Sequence, residues 1–283
     1  MDGKRQGRHV ERVVRRQAAT EGAGVRINRV MPLPSLDAVD PFLLLDEIRS
    51  DDPGAYLAGF PPHPHRGIET VTYMLAGRMH HRDSTGGEGV IGAGDVQWMT
   101  AGRGIVHSEM PEQSDGLMWG FQLWLNMPAS DKMATRSSYL ELAADSIPTV
   151  EGDRHRVRVV SGPHGGRRGP APPRPTEPIL LDVSIDAGGS AAIDLPDGHA
   201  AFAYVFDGEA EIAGTKVATG GTAILSGDGP AALSSAAGGR LLLIAGRPLR
   251  EPVFRAGPFA MASERDLEQA FEDIRTGRFL EPA

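Results

Sequence analysis

The chain has 283 residues, 40% of them hydrophobic and 23% charged, with 29 Lys+Arg against 37 Asp+Glu and no cysteine. This is a globular composition, with room for one large domain or two of ordinary size. The missing thiols exclude disulfides, thiolate metal sites and cysteine nucleophiles, and the net charge of −8 argues against a nucleic-acid surface covering the protein.

The first sixteen residues are locally basic (Lys4, Arg5, Arg8, Arg12, Arg15, Arg16) and read as a solvated tail leading into a first strand. No apolar secretory segment follows Met1, and no stretch approaches the ~20 apolar residues of a membrane span, so cytoplasm is the default location. Thirty-six glycines and 22 prolines punctuate the chain, and long helical patterns are scarce. Between them lie short β-branched or aromatic runs, such as Glu69–Leu75, Gly120–Leu125 and Arg240–Ile244. The expected fold class is all-β, a sandwich or barrel.

The two halves echo each other weakly. Thr72-Tyr73-Met74-Leu75-Ala76-Gly77 is similar to Ala203-Tyr204-Val205-Phe206-Asp207-Gly208, and a glycine turn follows in each. This suggests one barrel duplicated, with an N-terminal half over 1–140 and a C-terminal half over 141–283. Gly162–Pro178, rich in Gly, Pro and Arg, reads as a surface loop or part of the connection between halves. One helix closes the chain. Ser263 can cap it, Leu267, Ala270, Phe271 and Ile274 form an apolar stripe, and Gly277 stands where a helix ends.

The chemistry sits between His63 and Glu109. Pro62-His63-Pro64-His65 opens this stretch and His107-Ser108-Glu109 closes it. In a strand, residues i and i+2 point to the same face, so each pair projects together. If both strands face one barrel interior, His63, His65, His107 and Glu109 converge on one metal ion. Three imidazoles and a carboxylate suit a divalent first-row metal and leave positions open. Glu69, four residues after His65, is either a further ligand or an acceptor for an imidazole N–H. His80 and His81 point to opposite faces, so at most one is inward. No phosphate loop precedes a helix, and no Gly-x-Ser-x-Gly elbow occurs. The second half carries Asp194, Pro196, Leu233 and Ser235 at the equivalent places, so one metal per chain is expected.

Over these residues the sequence resembles the pirin family of the cupin superfamily. The likeness is carried by His63-Pro64-His65-Arg66-Gly67-Ile68-Glu69-Thr70-Val71-Thr72-Tyr73, by His81-Arg82-Asp83-Ser84 and by Gly94 through Glu109. It extends to Asp40–Glu47 upstream and to Gly257-Pro258-Phe259 near the end. Many cupins take a ligand acid at the place of Glu69; pirin-like proteins use the place of Glu109. The resemblance implies two packed cupin-type β-barrels (a bicupin) and a mononuclear metal, usually iron, although the donor set also accepts Ni, Cu, Co, Mn or Zn. It implies quercetin 2,3-dioxygenase activity on a flavonol and O2. In such a reaction Glu109, or a carboxylate beside the metal, would take the hydroxyl proton. The alternative it implies is a metal- and redox-dependent regulatory protein that binds a protein partner. Neither reading calls for nucleic acid or membrane, and a monomer is expected.

Overall fold

The computed structural model describes residues 7–281, so Lys4 and Arg5 of the basic stretch lie outside the described residues. Strand makes up 55% and helix 8%, as the turn-punctuated β-branched runs require. No helix among the described residues is long and apolar enough to cross a membrane.

The chain forms two compact units that interleave in sequence. One takes the chain up to Gln17, Val30–Pro41 and Asp145–Pro248; the other takes Ala18–Arg29, Phe42–Ala144 and everything from Leu249 onward. The crossing near residue 144 is close to the expected 140. The C-terminal helix, however, belongs with the histidine-bearing unit rather than with the second half. Gly162–Pro178 lies within the first of these units and is not the connection. Its Pro163–His164 and Arg167–Arg168 pair as a small hairpin.

The unit that lacks His63, His65 and His107 is a ten-stranded arrangement. Its thirteen-residue strand Ala200–Ile212 pairs with Gly239–Gly246 and Gly221–Ser226 at one end. At the other end it pairs with Thr215–Ala218 and Ala231–Ser235. The interior alternates as strands must, and it is aliphatic: Leu181, Val183, Ala203, Val205, Leu233, Leu241 and Leu243 are all buried there. The described part of the basic stretch, from Arg8 onward, is no free tail. His9–Arg15 pairs antiparallel with Gly221–Ser226. Arg8 is buried because its guanidinium donates to the carbonyls of Gly229, His199 and Pro196 at 2.9–3.2 Å.

The histidine-bearing unit has a seven-stranded and a four-stranded sheet. In the larger sheet, Ile68–Ala76 and Met118–Asn126 are central neighbours, and Ser138–Leu142 forms one edge. In the smaller, Ile105–Pro111 lies between Phe60–His65 and Met79–Asp83. Contacts between Thr72 and Glu109 and between His65 and Trp124 bring the two sheets face to face. The helix Glu264–Thr276 starts and stops on the residues that chain-local chemistry dictates. Ser263 Oγ accepts from Asp266 N at 3.1 Å, and Gly277 takes φ +74°. Its stripe divides: Ala270 is buried and Leu267 packs beside it, while Phe271 and Ile274 remain exposed.

Candidate metal centre

Two neighbouring strands carry the three histidines. Phe60–His65 has prolines at 61, 62 and 64 and pairs along one side only, where a missing N–H costs nothing. Ile105–Pro111 runs antiparallel beside it and sets His107 opposite His63. The shared face of 63 and 65 then meets the inward face of 107. Ring centroids are 4.8 Å apart for His63–His65, 4.4 Å for His63–His107 and 5.0 Å for His65–His107. One ligand nitrogen from each ring falls within 4.8 Å of the other two.

Each ring spends its Nδ1 elsewhere. His63 Nδ1 donates to Pro61 O at 2.9 Å, and His65 Nδ1 donates to Pro258 O at 3.2 Å. Carbonyls only accept, so both rings carry their proton on Nδ1 and keep the Nε2 lone pair free. His107 Nδ1 lies 3.0 Å from the Tyr139 hydroxyl, and its Nε2 is buried with no hydrogen-bond partner. An orphaned buried nitrogen is costly unless something fills its position. Burial, reinforced by the neighbouring His63, lowers the His65 pKa to about 3. Burial, followed by His65 and His63, holds His107 well below its usual range. Both rings are therefore neutral near pH 7, the form a metal requires. Three convergent imidazoles fit a divalent first-row ion.

Glu109 does not join the ring cluster. A register shift falls between His107 and Glu109. The Glu109 carboxylate is buried and held at both ends: Oε1 lies 3.0 Å from Thr72 Oγ1, and Oε2 accepts from Gln122 Nε2 at 2.9 Å. Thr72 Oγ1 is also 2.9 Å from Gln122 Oε1, and its single proton serves one acceptor at a time. Burial pushes the Glu109 pKa up, against the opposing pull of His63 and then of Thr72.

Glu69 is not part of the cluster of His63, His65 and His107. The extended path from His65 breaks at Gly67, which takes φ +78° and faces Ala260 so closely that a Cβ would lie 2.1 Å from its carbonyl oxygen. The strand resumes in the other sheet with changed parity. Thr72 faces Glu109, and Glu69 turns to the opposite side, where Thr100 Oγ1 donates to it at 2.7 Å. His80 and His81 do point oppositely. His80 pairs with Glu88 at 2.8 Å near the surface, and buried His81 lies 2.5 Å from Glu141 Oε1.

The Pirin family profile matches residues 24–125, and a profile described as Pirin C-terminal cupin domain matches 180–280. A pirin-like protein of Caulobacter vibrioides is 46% identical over 275 residues, covering 96% of this chain and 99% of that one. The chain belongs to the pirin family. A crystal structure of quercetin 2,3-dioxygenase from Acinetobacter baumannii matches this pirin with a TM-score of 0.91 at 29% identity, covering 98% of this chain and 100% of that one. A bacterial pirin of Escherichia coli in complex with nickel(II) shares the fold, with a TM-score of 0.67 at 21% identity over 84% of this chain and 99% of that one. The fold is thus two cupin domains with one short C-terminal helix.

Three residues of this pirin's site were not singled out from the sequence, Thr72, Gln122 and Tyr139, and a fourth, Trp124, reads from the sequence as barrel packing. Gln122 and Trp124 stand at i and i+2 in a strand already expected, so a parity argument could have found them. Trp124 packs edge-on against His65 with centroids 5.0 Å apart. Tyr139 carried no local signal, because its edge strand belongs to the seven-stranded sheet and meets His107 of the four-stranded sheet only where the two sheets face each other. Burial pushes the Tyr139 phenol up, so its hydroxyl stays protonated and can orient the ring of His107. Tyr139→Phe is expected to leave the fold intact and to weaken metal affinity by about 10-fold, the usual cost of losing a group that orients a ligand. Competition with a chromophoric chelator measures it. Unchanged affinity would show that the hydroxyl does not orient His107.

Proposed function

We propose that this pirin holds one divalent transition metal through the Nε2 atoms of His63, His65 and His107, with Glu109 as the fourth ligand, and that it oxygenates a flavonol-like aromatic substrate. The observation that carries the metal reading is the shared arrangement of the rings. Three imidazoles turn Nε2 inward, and the buried Nε2 of His107 has no partner of its own. Each oxygen of Glu109 keeps a lone pair beyond the bonds from Thr72 and Gln122. Iron is the first metal to test, followed by nickel, copper, cobalt, manganese and zinc.

The likeness to the Acinetobacter baumannii quercetin 2,3-dioxygenase supports the oxygenase reading. The bound metal would supply Lewis acidity toward a substrate hydroxyl. The chain's own contribution is to hold and move a proton. Glu109, with its pKa raised by burial, would take the hydroxyl proton at a carboxylate oxygen. Thr72 and Gln122 fix the plane of that carboxylate before and after the transfer. Trp124 offers an apolar wall beside His65.

The test is oxygen uptake by protein loaded with each first-row metal in turn. Uptake is expected to require both quercetin and bound metal. Protein that binds one metal per chain and shows no flavonol-dependent uptake with any of the metals would remove the oxygenase reading and leave the metal site standing.

A further inference from the structure

The segment from Pro258 to Phe279 lies far in sequence from the histidines, yet it touches the end of one ligand strand and the beginning of the other. At the first strand, Pro258 O accepts from His65 Nδ1 at 3.2 Å. Ala260 N donates to Arg66 O at 3.1 Å, so the backbone just after His65 is pinned as well. Lys132 Nζ ties this junction together by donating to Gly67 O at 2.7 Å and to Ala260 O at 2.9 Å.

At the second strand the same segment meets residues 103–106. Arg66 Nε donates to Arg103 O at 2.6 Å. A Cβ on Gly104 would meet Phe279 at 3.2 Å, so the ring and carbonyl there press directly on the backbone. Val106, adjacent to His107, packs against the cluster of Phe259, Ala270 and Phe279. Arg66 connects all of this to the helix Glu264–Thr276. Its guanidinium is nearly fully buried, bonds Asp273 Oδ2 at 2.7 Å, donates to Phe279 O at 3.1 Å and stacks 4.4 Å over the Phe279 ring. Arg66 follows a ligand directly, and Asp273 is its only carboxylate partner among the described ion pairs.

We propose that Asp273 on the C-terminal helix is a positioning residue for the metal centre: through Arg66 it holds His65 and the 103–106 approach to His107 in the geometry the metal needs, so helix docking and metal binding reinforce each other. The inference rests on the metal reading above. Coupling between two sites is reciprocal, so the factor by which docking tightens the metal equals the factor by which the metal tightens docking. A docked helix exchanges its amide hydrogens slowly, and that rate reports the docking equilibrium.

The experiment uses the full chain with nickel(II) as the probe. Chelator competition gives the metal affinity, and hydrogen–deuterium exchange of the helix is followed with and without nickel. In the wild-type chain nickel is expected to slow exchange across Glu264–Thr276. Asp273→Ala is expected to weaken nickel binding by about 10-fold and to abolish the nickel effect on helix exchange. Asp273→Glu should recover part of both. Glu272→Ala, which removes only the exposed partner of Arg275 on the same helix, should change neither.

A purely structural role for Asp273 would lower the thermal midpoint of the metal-free chain and leave the nickel affinity of the folded protein unchanged. That result overturns the proposal, as does wild-type helix exchange that ignores nickel. A wild-type chain that binds no nickel, iron or other first-row metal overturns the metal reading itself, and this inference with it.

Discussion

His107→Ala is expected to yield a folded protein that no longer retains metal. His107 supplies the only one of the three Nε2 atoms that is both buried and unpartnered, so it gains most from an ion and has least to lose without one. Removing a ligand should cost more than the roughly 10–100-fold typical of losing a group that merely orients one. Elemental analysis after desalting should fall from one metal per chain to near zero. The metal-free form should not suffer in proportion. The substitution leaves a cavity, but it also deletes an unsatisfied buried nitrogen, and the two effects oppose each other. His107→Ala protein that keeps a full complement of metal would end the proposed ligand set.

Lys132→Met should produce the largest loss of stability. The ammonium is buried and donates to Gly67 O, Asn126 Oδ1 and Ala260 O at 2.7, 2.5 and 2.9 Å. Methionine fills much of the volume but leaves three buried acceptors without a donor. That should cost on the order of 3 kcal/mol, at about 1 kcal/mol or more for each acceptor. All three tryptophans, Trp98, Trp119 and Trp124, lie in the histidine-bearing unit, so their fluorescence during urea unfolding follows this unit alone.

The pH dependence supplies a second signature for Lys132. Burial, partly opposed by Glu251, lowers the Lys132 pKa from 10.5 to about 8. Between those values the unfolded chain carries a proton that the folded chain has released. Stability therefore rises with pH where the unfolded state binds more protons. The wild type should gain on Lys132→Met from about pH 8 up to 10.5, and the gap between them should be constant below that window. A gap that narrows with rising pH would mean that the buried lysine is not the cause.

Both predictions turn on contacts of different legibility. The pairs His63/His65 and His107/Glu109 could be read directly, because the alternation of side chains along a strand is a property of the backbone alone. The caps at Ser263 and Gly277 were legible for the same reason: they satisfy or terminate hydrogen bonds within a few residues.

Local periodicity fails where the chain turns. Glu69 was placed on the face of His65 by counting residues, and the left-handed turn at Gly67 moved it into another sheet. Arg8 looked like part of a solvated tail until three carbonyls from 188–221 residues away enclosed it. The helix was recognised but not the residues it packs on, since its amphipathic stripe says that it packs and not on what.

The amino-acid order alone determined the all-β class, the inward pairing of the histidines, the family and the final helix. Each depends on spacing over a few residues or on motif. Only the tertiary structure decided which strands became neighbours, and with that the contacts of Tyr139, Thr72 and Gln122, the pairing of Glu69 with Thr100 and the seat of the C-terminal helix beside the histidine strands. These were set by long-range sheet pairing and by the burial of polar groups that had to find partners wherever the fold supplied them.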